Sequence, residues 1–285
     1  IPMHIGSFNP ENSTKEFDGA VPANKALSRS LNVPAVWMLQ SYGVNRFKHI
    51  LERMGISTFT KPANHYGLSI ILGGGEGSLW EITSVYASMA RVLNHYTKYD
   101  SKYFKYDFRP NNYISQKEIH NEKHNSSNQK YLLNASSIWF TFQAMLDVSR
   151  PYDDLQWRQF SSGSKIAWKT GTSYGNRDAW AIGCNPEYVV GVWVGNADGE
   201  GRPGMTGLSA AAPLFFDIFK TLQPKGWFYK PYDDMTKIPI CRHSGYPASD
   251  ICNPVDTVWV PSKSNMIKNC PYHQLIHLDA TMQYR

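Results

Sequence analysis

Lys169, Thr170, Gly171, Thr172 and Ser173 stand in an unbroken row after Ile166-Ala167-Trp168, an apolar run that reads as a strand. A lysine among hydroxyl residues on one strand is equipped to bind an anion. Lys169 would hold a carboxylate or tune a nearby proton transfer. The hydroxyls of Thr170 and Thr172 can bind the same carboxylate, and the Thr172 N–H is placed to donate to a developing oxyanion. Gly171 lacks a Cβ, so the backbone of an extended peptide can lie close along an edge strand. Ser30 and Asn32 form a second set. Two apart on a loop between helices, they can aim into one cleft, with Ser30 relaying a proton and Asn32 bonding a substrate amide. Ser126-Ser127-Asn128 has the same letters, and only the flanking residues favour Ser30.

Neither set includes a nucleophile. A serine three residues ahead of a lysine on a helix stacks both side chains on one face, where the amine can take the hydroxyl proton. Ser127-Asn128-Gln129-Lys130 and Ser162-Gly163-Ser164-Lys165 fit by letter. The first lies in a polar stretch. The second is glycine-serine sequence directly before a strand, which is poor helix, so its lysine would not stack beneath its serine.

The elements that must hold these residues are readable from periodicity. Apolar spacing from Val33 to Leu39 predicts a helix with Pro34 in its first turn, and a second helix is expected over 44–54, stopped at Gly55. The glycine-rich segment 72–79 reads as a tight turn feeding a helix over 79–93, with Ser78 as its N-cap. A phosphate site there is disfavoured, because no Gly-Lys-Ser/Thr ending follows and no βαβ strand precedes it. Residues 96–130, dense in Tyr, Lys, Asn and His, read as a solvated excursion or an irregular surface hairpin. Helical spacing resumes over 132–148, and Pro151 blocks its continuation. Strands are then expected over 166–172, 178–184 and 188–194, with Asn185-Pro186-Glu187 as a turn, followed by a short helix over 214–222. The whole predicts an α+β fold, helices packed on an antiparallel sheet. Composition shifts to Pro, Tyr, Asp and Cys from Gln223, which puts a domain boundary between 1–222 and a small β-rich tail, 223–285.

At 285 residues and 42% hydrophobic, the chain can bury a sizeable core. Its net charge of +6 comes from scattered basic residues, with no zinc finger, RNP segment or basic helix, so nucleic acid is not an expected partner. No apolar run of about eighteen residues or more is present, and the first residues do not form a signal peptide.

Three stretches together carry a resemblance: Ser30-Leu31-Asn32-Val33-Pro34-Ala35-Val36; the loop 72–79; and Ala167 to Thr172 continuing into Tyr174-Gly175-Asn176-Arg177-Asp178-Ala179-Trp180. With Gly191-Val192-Trp193-Val194-Gly195-Asn196 and Ala212-Pro213-Leu214, they resemble the transpeptidase domain of class A penicillin-binding proteins, the 1C type above all, over about 8–222. The resemblance implies the penicillin-binding/serine β-lactamase-like fold and a peptidoglycan D,D-transpeptidase that cross-links stem peptides through an acyl-serine. β-Lactams would be its inhibitors, and no cofactor is implied. Ser30, Asn32 and Lys169 are the implied catalytic residues, and Thr170, Gly171, Thr172 and Ser173 the substrate-binding ones. Family order places the nucleophile several tens of residues ahead of the serine-x-asparagine loop, so the chain is expected to start inside the domain and be inactive alone. A glycosyltransferase domain and a membrane anchor are implied upstream, at the periplasmic face of the bacterial inner membrane. The alternative is a non-catalytic penicillin- or stem-peptide-binding module or sensor. A β-lactamase is disfavoured, because no Glu-x-x-Leu-Asn segment is present.

Cys241, Cys252 and Cys270 crowd the tail. The implied periplasmic location, and the similar Cys-x-x-Ser-Gly and later Cys of 1C-type tails, put one disulfide among the three first. Spacing also permits zinc held by Cys241, Cys252, Cys270 and His273, or free thiols. Cys184 reads as a buried small hydrophobe.

Overall fold

A computed structural model describes residues 2–6, 8–113, 131–150, 165–264, 268–278 and 280–281. Ser126, Ser127, Asn128, Lys130 and Ser162, named above, lie outside these residues. The chain forms two compact units, Ile1–Tyr229 and Lys230–Arg285.

Among the described residues the first unit begins with six α-helices: α1 (Ala23–Ser28), α2 (Asn32–Tyr42), α3 (Val44–Arg53), α4 (Ala63–Tyr66), α5 (Leu79–Lys98) and α6 (Ala135–Leu146). Their ends follow local chemistry. Gly55, two residues past α3, takes φ +102°, a conformation that L side chains rarely adopt. Ser78 Oγ accepts the Glu81 N–H at 3.1 Å and caps α5, and Asn134 Oδ1 accepts the Ser137 N–H at 3.0 Å and caps α6. Each such cap is worth about 1 kcal/mol.

Helix α5 continues to Lys98, past the expected end, because the polar stretch after it is not simply solvated. Tyr96 is buried, and Asp107 is only 2% exposed. The Asp107 carboxylate pairs with His95 Nδ1 at 2.6 Å and accepts the Phe104 N–H at 3.3 Å. Tyr103 Oη accepts the Ala135 N–H at 2.7 Å, which ties the returning chain to the start of α6. Polar composition hid this packing because each buried polar group has its partner on a neighbouring turn or helix.

Three antiparallel strands follow in the order β1 (Ala167–Thr172), β2 (Asp178–Cys184), β3 (Val189–Gly195). The register pairs Lys169 with Ile182 and Gly171 with Trp180. Alternation of side chains divides the sheet into two faces. On one, Trp168, Ala179, Ala181, Val190 and Val192 pack against Phe215, Phe216 and Phe219 of α7 (Ala212–Leu222). Trp168 is fully buried there, its ring centroid 5.8 Å from Phe215 and 4.8 Å from Phe216. On the other, Ala167 and Cys184 join Leu93 of α5 and Ile138 and Phe142 of α6. Cys184 is buried, and desolvation pushes its thiol pKa far above the ordinary value. Trp227 and Phe228 pack into this second cluster, which carries the first unit through Tyr229.

One turn needs a close approach. A π-helical turn, Gly207–Ala211, leads into α7 behind a Thr206/Ser209 capping box. A Cβ on Gly207 would lie 2.5 Å from the Trp180 carbonyl oxygen and 2.6 Å from that of Gly171, so only glycine fits against the β1–β2 ladder.

The second unit holds a two-stranded antiparallel sheet, β4 (Met235–Cys241) and β5 (Val255–Pro261). Its buried cluster is made of Cys241, Cys252 and Cys270 with Ala248 against them.

Candidate active site

Ser30 sits in the connection between α1 and α2. Its N–H donates to the Leu27 carbonyl at 3.1 Å and the next N–H, of Leu31, donates to Ala26 at 2.9 Å. This is the hydrogen-bond pair of a Schellman stop, with Ser30 at the left-handed position that glycine ordinarily fills. Ser30 indeed has φ +55°. A serine where the backbone prefers glycine is a local cost of about 1–2 kcal/mol. What its hydroxyl does accounts for it: Ser30 Oγ accepts a hydrogen bond from Lys169 Nζ, 139 residues away.

The pair is held from both sides. Helix α1 packs on α6, and α6 packs on β1. The Lys25 Nζ–Asp147 Oδ2 ion pair, 3.1 Å, pins α1 to the end of α6. Ala167, on the face of β1 that carries Lys169, is fully buried among the residues of α5 and α6. Lys169 Nζ also donates to the Thr170 carbonyl at 2.9 Å. Burial lowers the Lys169 pKa from the ordinary 10.5, and among the described residues no carboxylate forms an ion pair with it.

The remaining expected residues are placed differently. Asn32 opens α2, and its side-chain N–H donates to the Glu11 carbonyl at 2.8 Å, while Asn12 Oδ1 accepts the Val33 N–H at 3.2 Å in the same seam. Asn32 therefore anchors the N-terminal segment against α2. Gly171 lies on the Lys169 side of β1. A Cβ there would meet only the Trp180 side chain, at 3.6 Å, so internal packing does not demand glycine at this position. Thr170 and Thr172 alternate to the opposite face, where Thr172 Oγ1 accepts the Gly207 N–H at 3.0 Å. Ser173 closes the β1–β2 turn, with its Oγ accepting the Asp178 N–H at 2.8 Å and its N–H donating to the Asp178 carbonyl at 3.0 Å.

Two contributors were given no role in the site from the sequence. Gly207 braces the far side of β1, and the Thr206–Ser209 capping pattern was its only local signal. Trp193 pairs with Trp180 across β2–β3 and donates its ring N–H to Asp178 Oδ1 at 2.9 Å, steadying the end of the sheet beside the β1–β2 turn.

In the tail, Cys241, Cys252 and Cys270 are free and buried and lie beside His273, and Cys184 of β2 is likewise free. Among the described residues, no helix is long and apolar enough to cross a membrane.

No protein-family model matches the chain. It is 33% identical over 218 residues to penicillin-binding protein 1C of Escherichia coli (strain K12), a match covering 76% of this chain and 25% of that protein. The chain spans about a quarter of the length of the curated relatives it matches. Penicillin-binding protein 1A from Haemophilus influenzae shares the fold with a TM-score of 0.67 at 16% identity, over 95% of this chain and 44% of that one. PonA1 of Mycobacterium tuberculosis, solved in complex with penicillin V, aligns at TM-score 0.57 and 17% identity, over 80% of this chain and 64% of its own. The helices packed on an antiparallel sheet agree with both solved structures, and by its identity to the Escherichia coli protein the chain belongs to the penicillin-binding protein family.

Proposed function

We propose that the first unit carries the substrate-binding wall of a serine D,D-transpeptidase that cross-links peptidoglycan stem peptides at the periplasmic face of the inner membrane. The observation that carries this reading is the Lys169–Ser30 hydrogen bond, made by a half-buried cation and a serine held at a position glycine would occupy more cheaply. A desolvated ammonium with no carboxylate paired to it among the described residues favours an anionic ligand, and the C-terminal carboxylate of a stem peptide, or that of a β-lactam, has the right charge. Gly171, whose glycine the chain's own packing does not require, leaves room for that peptide's backbone along β1.

In this scheme an attacking serine hydroxyl adds to the carbonyl of the penultimate D-Ala, the peptide bond breaks, and D-Ala leaves with the proton delivered to its amine. A neighbouring strand's amine then displaces the serine and takes the acyl group. Ser30 and Lys169 serve as proton relay and carboxylate anchor. Asn32, Thr170, Thr172 and Ser173 complete the proposed wall, and binding by the two threonines requires their hydroxyls to reach around the strand from the face braced by Gly207. We place the nucleophile outside this chain's residues, with a glycosyltransferase domain and a membrane anchor in the same parent protein.

Labelled penicillin tests the proposal. The parent protein should be acylated at one serine, and the 285-residue chain alone should not. Lys169→Ala in the parent should slow acylation by about 10²–10³-fold, the usual cost of removing one charge-stabilising donor. Label at Ser127 or Ser162 of the isolated chain would overturn the reading. Reversible binding by the parent with no acylation would mark a sensor or binding module instead.

A further inference from the structure

The second unit is small, and its hydrophobic interior is meagre. Among its described residues the buried apolar ones are Pro231, Met235 and the three cysteines. A lone two-stranded sheet is marginal in water, and units below about 70 residues ordinarily need a disulfide or metal staple.

The cysteines converge from separate segments. Cys241 ends β4, Cys252 lies in the connection to β5, and Cys270 and His273 follow β5. Their three Sγ atoms and a ring nitrogen of His273 all lie within 4.8 Å of one another. Cys241 Sγ and Cys270 Sγ are each 3.5 Å from His273 Nδ1. For a tetrahedral zinc with bonds of about 2.3 Å to sulfur and 2.05 Å to nitrogen, the S···N edge is about 3.6 Å, so these two edges already have the required length.

We infer that Cys241, Cys252, Cys270 and His273 form a structural zinc site. Three thiolates and one imidazole complete four-coordination and leave no position for water or substrate, which makes the ion a staple and not a catalyst. The surroundings suit thiolates. Ser244 Oγ donates to Cys270 Sγ at 3.1 Å, and the Ser249 N–H donates to Cys252 Sγ at 3.3 Å. Such donors spread the charge of a metal-bound thiolate and fix its orientation. A disulfide between any two of the cysteines would leave the third thiol and the imidazole without a purpose. A zinc ion uses all four.

The test is the metal content and cobalt spectrum of the whole chain, purified with a phosphine reductant and no chelator. One zinc per chain is expected, replaceable by Co²⁺ with the intense visible bands of a tetrahedral ion and a thiolate charge-transfer band, both lost in Cys270→Ser. Because that variant risks misfolding, His273→Cys and Ser244→Ala are measured beside it. His273→Cys should retain one tetrahedral metal with a stronger thiolate band, and Ser244→Ala should bind zinc about 10-fold more weakly. A reduced, folded chain that binds no zinc overturns the inference, as does zinc binding unchanged in both Cys270→Ser and Ser244→Ala.

Discussion

Replacing Ser30 by glycine and by alanine separates what this residue costs the fold from what it gives the site. Both substitutions remove the hydroxyl that Lys169 reaches, so that loss cancels when the two variants are compared. What remains is backbone. At φ +55° alanine retains a Cβ clash of about 1–2 kcal/mol that glycine escapes, while glycine gives up about 0.5–1 kcal/mol of additional unfolded-chain entropy. Ser30→Gly should therefore be more stable than Ser30→Ala by about 0.5–1 kcal/mol, which for a unit of this size is a melting temperature about 1–4 °C higher. Thermal unfolding of the 285-residue chain, followed by circular dichroism, measures the difference. In the parent protein both variants should lose penicillin acylation to the same extent. An alanine variant as stable as the glycine one would refute the assignment of strain at this position. A glycine variant that acylates at the wild-type rate would refute the hydroxyl's role.

Gly207→Ala should cost about 2–3 kcal/mol in urea unfolding, because its Cβ meets two backbone oxygens of the β1–β2 ladder; Gly77→Ala, which meets only the tip of Ile82, should cost less than about 1 kcal/mol. Gly171→Ala should leave unfolding within about 0.5 kcal/mol of wild type yet slow acylation of the parent, since the added methyl takes the space in which we propose that the peptide backbone lies. Burial sets the folded Lys169 pKa below its ordinary 10.5, so in the window between the two the unfolded chain binds more protons. Stability relative to a Lys169→Met variant should accordingly rise with pH through that window and level off above 10.5, as read from paired melts in matched buffers.

Much of the fold was legible because its signals are local. The Ser78 cap, the stop at Gly55 and the alternation through 166–172 each depend on residues within one or two turns. The site was legible only in part. Nothing within several residues of Asn32 announces that its side-chain N–H bonds the Glu11 carbonyl, a contact that exists because the N-terminal segment folds across α2. Alternation already places Thr170 and Thr172 opposite Lys169, yet a reading by residue type groups them, since a hydroxyl's chemistry is visible in the letter and its face is not. The buried Asp107 was hidden for a related reason: composition registers a polar residue, whereas burial depends on whether His95 and the Phe104 N–H arrive to pair with it. In the tail, the cysteine count was plain, but convergence of Cys270 and His273 with Cys241 required the β4–β5 hairpin to bring them together.

The 139-residue separation between Ser30 and Lys169 also bears on kinetics. Closing a flexible loop of that length costs about 4 kcal/mol of chain entropy before the contact returns anything, so the pair forms only once α1, α6 and β1 have docked and made the closure for other reasons. Early helices such as α5 can form on their own caps without it. A nascent or refolding chain caught with its helices made and its sheet undocked holds every residue of the wall and binds nothing, so recovery of ligand binding during refolding should lag the recovery of helical signal.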